Sequence, residues 1–144
     1  MCTVREILSN KEPGVATIGP RKSALEAAVS MNEHKVGSLM VLDGDRVVGI
    51  ITERDLLRRV LAEQRDAAKT PVEDVMTTEI LCCQLHTTID EARAVMKNRR
   101  VRHLPVVDDE GLHGVISIGD LNAYEAHSQD VTIHVLTEYI HGRA

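Results

Sequence analysis

Two short turns carry the residue types and spacing that could do chemistry. In each turn a glycine is followed three residues later by a hydroxyl, and a carboxylate comes three residues after that: Gly49, Thr52 and Asp55, then Gly114, Ser117 and Asp120. A hydroxyl three residues before a carboxylate is typical of a helix N-cap, where both side chains satisfy free backbone amides. The same amides, at the positive end of the helix dipole, favour a bound phosphate. The pattern therefore predicts a helix cap, an anion-binding turn, or both at once.

The two turns belong to a longer internal repeat. Residues 49–56 and 114–121 align 65 positions apart, and the alignment extends back to Ser23 and Thr88 without a gap. A fixed period of this kind indicates two copies of one structural unit.

A lead-in segment before each copy is also repeated. Residues 4–8 resemble residues 72–76 at a spacing of 68, so the first copy has three extra residues, in or near the polar stretch 9–14. We expect the first repeat with its lead-in to span residues 1–66 and the second repeat residues 67–127. A C-terminal helix or tail would occupy residues 128–144, with Asp130 as the cap of a helix over 131–140.

Each copy predicts the same order of elements, β-α-β-β-α. A brief strand comes first, and a capping box of a hydroxyl and a Glu three residues later begins a helix. Two strands follow around an Asp- and Gly-containing turn, and a second helix begins at the hydroxyl of the Asp turn. The predicted brief strands are 16–18 and 80–83, the helix starts are Ser23–Glu26 and Thr88–Glu91, and the paired strands are 38–42 with 46–51 and 103–107 with 112–116. The second helix of the first copy is expected to end near Gln64, with a linker over 65–70.

Composition narrows the classes of function. The net charge of −5 argues against a general nucleic-acid binder, and no apolar run is long enough for a membrane span. The start of the sequence lacks the apolar core of a secretory signal, so we expect a cytoplasmic protein. Aromatic residues make up 1% of the chain, so a bound base would lie between aliphatic side chains. The odd number of cysteines, with Cys82 next to Cys83, argues against a disulfide framework.

No catalytic or metal-binding set is predicted. His127, His134 and His141 recur every seven residues with Glu138 among them, but the His-Glu-x-x-His order of a zinc helix is missing. We expect no metal site, no nucleophile–base pair and no enzyme activity.

Residues 49–56 and 102–108 resemble the CBS domain, and the resemblance covers nearly the whole chain as a tandem pair, often called a Bateman module. It implies an α/β fold of two β-α-β-β-α repeats related by pseudo-twofold symmetry. It also implies two clefts between the repeats, for AMP, ATP, NAD or S-adenosylmethionine as a regulatory ligand rather than a catalytic cofactor. Members commonly form flat dimers, so a homodimer is expected. The first copy departs from the family's His-Leu-Pro-Val form, because residues 38–41 read Ser-Leu-Met-Val.

The resemblance assigns roles at the two turns. Asp55 and Asp120 would accept ribose hydroxyls, and Arg102 with His103 would face ligand phosphates, although this basic run is also typical of a solvated helix end. In the first copy Gly37 would let a base approach the backbone closely. The expected ligand-binding residues are Thr17, Ile18, Val36, Gly37, Ser38, Thr52, Arg54, Asp55, Cys83, Val101, Arg102, His103, Leu104, Pro105, Ser117 and Asp120.

The leading hypothesis is a regulatory module that senses an adenine nucleotide at two unequal sites and signals in trans to an unidentified effector protein. The alternative is an interaction or dimerisation module whose nucleotide sites are vestigial. A nucleotide-converting enzyme is disfavoured because no acid/base or metal set is visible.

Overall fold

The computed structural model describes residues 2–11 and 14–128, with side chains up to Glu125. The chain forms two compact units. The Asp55 unit is Gly14–Leu81, and the Asp120 unit combines the described parts of Met1–Pro13 and Cys82–Ala144. These units differ from the sequence repeats, because each lead-in segment packs with the turn of the other copy.

The Asp55 unit is built on a three-stranded sheet in the order β1-β2-β3. Strand β1 (Thr17–Ile18) runs parallel to β2 (Ser38–Asp43), and β3 (Arg46–Thr52) is antiparallel to β2. Helix α2 (Ala24–His34) connects β1 to β2, and its capping box of Ser23 and Glu26 is present as predicted. The hairpin turns at Gly44, whose φ of 64° is the left-handed conformation that glycine adopts at low cost.

The core of the Asp55 unit lies between α2 and the sheet. Alternate residues of the strands point at one face, and the apolar stripe of α2 covers it. The buried set is Ala24, Ala27, Met31, Leu39, Val41, Ile51, Val60, Val72 and Val75. The last two belong to the lead-in segment of the second copy, where a 3₁₀ turn spans Val72–Asp74.

The second helix of the first copy differs from the prediction. Helix α3 covers only Glu53–Asp55 and continues as a π-helix over Leu56–Leu61. The Ala62 amide donates to the Leu57 carbonyl, a five-residue step, instead of the four-residue step of an α-helix. The π-helix ends at Leu61, and the turn that follows it reaches Gln64, which has a φ of 55°.

The Asp120 unit repeats the pattern with a smaller sheet. Strands β4 (His103–Asp108) and β5 (Gly111–Ser117) form an antiparallel pair. In the sequence, α4 (Ile89–Arg99) precedes this pair and α5 (Ile118–Ser128) follows it. The predicted capping box of Thr88 and Glu91 begins α4. Helix α1 (Val4–Ser9), from the lead-in of the first copy, packs on β5 and α5.

The predicted strand over residues 80–83 is wrong in its extent. Only Cys83 forms a bridge, parallel to Val106. In the Asp55 unit the Met40 amide donates to the Ala16 carbonyl at 3.0 Å. The equivalent position in the second copy is Pro105, which has no N–H to donate. The ladder is therefore shorter, and Cys83 alone keeps the place that Ile18 has in β1.

The mixed α/β architecture in a repeating pattern confirms the predicted fold class. The proposed helix over 131–140, with its cap at Asp130, lies outside the described residues. Within the described chain, no helix is long and apolar enough to cross a membrane.

Candidate functional site

The Asp55 turn is a fully formed capping box at the junction of β3 and α3. The Asp55 amide donates to Thr52 Oγ1 at 3.2 Å, and the Thr52 amide donates to Asp55 Oδ2 at 3.0 Å. The structural interpretation of this turn is therefore confirmed. Since the cap uses only Oδ2 of the carboxylate, the exposure of Asp55 depends on which other groups reach it.

In what we call the closure of a turn, a side chain from the lead-in of the other copy covers the carboxylate. For Asp55 this side chain is Thr77, from the lead-in of the second copy. Its hydroxyl lies 3.0 Å from Oδ1 and 3.3 Å from Oδ2, and Arg59 Nε lies 4.0 Å from Oδ1. Thr77 is held by two backbone hydrogen bonds to Ile50, with N···O distances of 2.8 and 2.9 Å. Asp55 is consequently only 7% exposed. The sequence analysis missed Thr77, which lies in the lead-in one residue beyond its repeated part, 72–76.

Gly49 allows this lead-in to lie close to β3. A Cβ built on Gly49 would be 2.6 Å from Met76 Sδ and 2.9 Å from the Thr77 carbonyl oxygen. The glycine of the turn motif therefore makes room for the neighbouring chain within the Asp55 unit.

The residues expected around the Asp55 turn divide into two groups. Ser38 lies opposite Thr52 in the sheet, and the Glu53 amide donates to the Gly37 carbonyl at 3.0 Å, so these residues meet at the turn. Val36 is 39% exposed and Arg54 is half-buried.

Thr17 and Ile18 lie one step further along the sheet, opposite Met40 and Val41. They line an open groove of about 510 Å³. The other residues of this groove are Gly19, Lys22, Glu26, Ser30, Leu42 and Gly44. Neither Thr52 nor Asp55 lines this groove.

The Asp120 turn repeats the capping box but is closed by a different group. The Ser117 amide donates to Asp120 Oδ2 at 2.8 Å, and the Asp120 amide donates to Ser117 Oγ at 3.0 Å. Lys11 Nζ lies 2.9 Å from the same Oδ2 and also donates to the Val115 carbonyl at 2.8 Å. The side chains are 39% exposed for Lys11 and 24% for Asp120. Sequence reasoning placed extra residues near 9–14 but assigned Lys11 no role.

The basic pair sits beside this turn. His103 lies opposite Ser117 in the sheet, and the Ile118 amide donates to the Arg102 carbonyl at 2.8 Å. Arg102 is exposed, and Val101 and His103 are half-buried. The structure thus brings Arg102, His103, Ser117 and Asp120 together.

Three other predicted residues of the second copy lie inside the unit. Leu104 and Pro105 are fully buried in β4, and Cys83 is 8% exposed. Burial, reinforced by the neighbouring Cys82, raises the pKa of the Cys83 thiol to about 11, so it is uncharged near neutral pH. Side chains in these positions pack in the core.

A cluster outside both turns lies at the tip of the β4–β5 hairpin. Asp108, Glu110 and His113 each place a possible metal-ligand atom within 4.8 Å of the others. His113 Nε2 lies 2.7 Å from Asp108 Oδ1, and this hydrogen bond lowers the pKa of the Asp108 carboxyl. No sequence pattern singled out this cluster. The side chains of His127, His134, Glu138 and His141 lie outside the described residues.

Comparison with known proteins identifies the same repeat. The model of the family described as "CBS domain" matches residues 4–62 and 72–127. The CBS domain-containing protein YhcV of Bacillus subtilis is 34% identical over 121 residues, which are 84% of each chain. A solved protein with CBS domains from Burkholderia ambifaria superposes with a TM-score of 0.85 at 38% identity, covering 88% of this chain and 96% of that one. The CBS domain protein PAE2072 from Pyrobaculum aerophilum, solved complexed with AMP, has a TM-score of 0.69 at 25% identity, covering 82% of this chain and 88% of that one.

Proposed function

The chain belongs to the CBS domain family, and on that premise we propose that it is a regulatory module that binds an adenine nucleotide at its Asp120 turn and signals to an effector protein. CBS-domain pairs are regulatory modules, and the comparisons indicate no enzyme family. The nucleotide class, AMP, ATP, NAD or S-adenosylmethionine, is supported by the similar protein that was solved with AMP.

One observation carries the proposal: a partly exposed carboxylate at a helix start, beside a basic pair. Asp120 Oδ2 accepts both the Ser117 amide and Lys11, while neither contact uses Oδ1. A carboxylate of this kind can accept the two hydroxyls of a ribose, and the planar donor fork of Arg102 suits a phosphate. Asp55 offers less, because Thr77 reaches both of its oxygens inside the unit. We therefore propose unequal sites, with the stronger one at Asp120.

Calorimetric titration tests the proposal directly. AMP, ATP, NAD and S-adenosylmethionine would each be titrated into the wild type, Asp55→Ala and Asp120→Ala. We expect at least one ligand to bind the wild type below millimolar concentration, with a greater than tenfold loss in Asp120→Ala and a smaller loss in Asp55→Ala. If no ligand binds the wild type at millimolar concentration, the nucleotide proposal is wrong.

The second candidate is an interaction module with vestigial sites. It is favoured by the capping boxes, which account for both turns without a ligand. It predicts that Thr52→Ala loses the stability of a helix cap, about 1 kcal/mol, and that no nucleotide raises the melting temperature. A nucleotide-dependent rise in melting temperature would exclude it.

We also propose that the chain forms a homodimer through its first copy. Leu57 and Leu61 lie one π-helical turn apart and are 58% and 70% exposed, which is unusual for a pair of large apolar side chains. A second copy of the same helix would cover them. Light scattering after size exclusion should give a dimer for the wild type and a monomer for the double variant Leu57→Ser, Leu61→Ser.

A further inference from the structure

In the Asp120 unit, the Lys11 ammonium makes both of the contacts that the amide and the hydroxyl of Thr77 make in the Asp55 unit. In the Asp55 unit, the Thr77 amide donates to the Ile50 carbonyl and the Thr77 hydroxyl reaches Asp55. Val115 occupies the position of Ile50 in the second copy. In the Asp120 unit, one ammonium does both: Lys11 Nζ donates to the Val115 carbonyl at 2.8 Å and to Asp120 at 2.9 Å. The two turns are therefore closed by equivalent hydrogen bonds from chemically different donors.

The two closures differ in how readily they open. Thr77 is fixed by paired backbone hydrogen bonds, so removing its hydroxyl from Asp55 requires the lead-in to move. Lys11 reaches Asp120 with a flexible side chain that is 39% exposed. A partly exposed ion pair contributes little to stability, because water competes for both charges. The ammonium can therefore leave the carboxylate without any change in the fold.

The two closures also differ in charge. Lys11 places a positive charge 2.9 Å from Asp120. The hydroxyl of Thr77 is uncharged, and the guanidinium of Arg59 lies further from Asp55, at 4.0 Å. A ribose that binds Asp120 competes with Lys11 for the carboxylate. An ammonium released beside the bound ligand would compensate negative charge on that ligand, and an uncharged ligand would gain nothing in return.

We infer that Lys11 is a specificity-determining residue of the Asp120 turn, which makes the turn favour adenosine 5′-phosphates over uncharged adenosine. The inference rests on the proposed nucleotide function. Lys11 lies in the stretch that holds the extra residues of the first lead-in, so this stretch would give the turn a selectivity that the turn motif itself does not provide.

Charge removal at Lys11 tests the inference. The affinities of adenosine, AMP and ATP would be measured by calorimetry at one low ionic strength for the wild type and Lys11→Met. We expect ATP to bind roughly fivefold more weakly to Lys11→Met, AMP to lose less, and adenosine to bind equally well or better. Lys11→Arg should keep the wild-type order of affinities, because it retains the charge. Lys97→Met removes an exposed lysine from α4 and is the matched control, for which no change in the ratio is expected.

The outcomes separate the inference from the function on which it rests. If the wild type binds none of the three ligands at millimolar concentration, both ideas fail. If the wild type binds ATP but Lys11→Met weakens ATP and adenosine by the same factor, only the role of Lys11 is wrong. The same conclusion follows if Lys97→Met changes the ratio as much as Lys11→Met does. Circular dichroism of each variant confirms that a loss of binding is not a loss of fold.

Discussion

The Asp55 and Asp120 turns share one local structure but differ in their closure. Both are capping boxes at the end of a strand, with hydrogen bonds of 2.8–3.2 Å. The Asp55 side chain is 9% exposed, under a threonine that the backbone holds in place. The Asp120 side chain is 24% exposed and is closed by a single lysine side chain.

This difference shows that the turn motif alone does not determine how exposed its carboxylate is. In each unit the closing residue comes from the lead-in segment of the other sequence copy, which the motif does not include. Thr77 provides a neutral closure anchored by the backbone, and Lys11 provides a charged closure on a flexible side chain.

The largest expected effect concerns the glycine that begins each turn motif. A Cβ at Gly49 would meet the Thr77 carbonyl at 2.9 Å, and this backbone oxygen cannot move without breaking the bridge to Ile50. The three atoms nearest to a Cβ at Gly114 all belong to the Leu8 side chain, whose end lies at 2.8 Å. We expect Gly49→Ala to lower the free energy of unfolding by about 2–3 kcal/mol and Gly114→Ala by about 1 kcal/mol.

Urea denaturation of both alanine variants measures this difference. Because the substitution is the same and both glycines are buried in equivalent strands, each variant is the control for the other. Equal losses would show that the two lead-ins are equally adaptable and would remove the basis for treating the closures as different.

A smaller effect is expected from the closing residues themselves. Thr77→Val keeps the shape of the side chain but removes the hydroxyl from a buried carboxylate, which should cost about 1–2 kcal/mol of unfolding free energy. Lys11→Met removes a partly exposed ion pair and should cost less than about 1 kcal/mol. Thermal denaturation in low and high salt separates the two, since only the Lys11 contribution is screened by salt. Thr77→Ser is the control that retains the hydroxyl, and a loss as large as that of Thr77→Val would contradict the role of Thr77.

Most of the fold could be predicted because it depends on local sequence. The capping boxes of Ser23 and Thr88, and the hairpins at Gly44 and Gly111, each need only a few neighbouring residues. The short bridge at Cys83 was also predictable in principle, because Pro105 lacks an amide at the place where the ladder would continue.

The closures of the two turns could not be predicted in the same way. Thr77 is 22 residues from Asp55, and Lys11 is 109 residues from Asp120. Their contacts arise from packing of the lead-in segments, which no periodic pattern of the sequence predicts. The π-helix at Leu56–Leu61 is similar, because its apolar residues also suit an ordinary α-helix. The capping pairs of each turn could therefore be predicted, and the residues that cover their carboxylates could not.

The smallest effect is expected at the two hairpin tips, which should differ in how they contribute to stability at acid pH. Asp108 is hydrogen-bonded to His113, whereas the equivalent Asp43 in the first copy lies 3.6 Å from an exposed arginine, and Val48 stands at the position of His113.

The hydrogen bond from His113 lowers the pKa of Asp108 in the folded chain. A lowered folded pKa stabilises the fold above the unfolded value, near 3.9, and this contribution is lost as the pH falls through the folded value. Between pH 5 and pH 2 the melting temperature of the wild type should therefore fall slightly more than that of His113→Val. Parallel thermal melts across this range measure the difference. Identical acid profiles would mean that the hydrogen bond between His113 and Asp108 does not make the second hairpin more stable than the first.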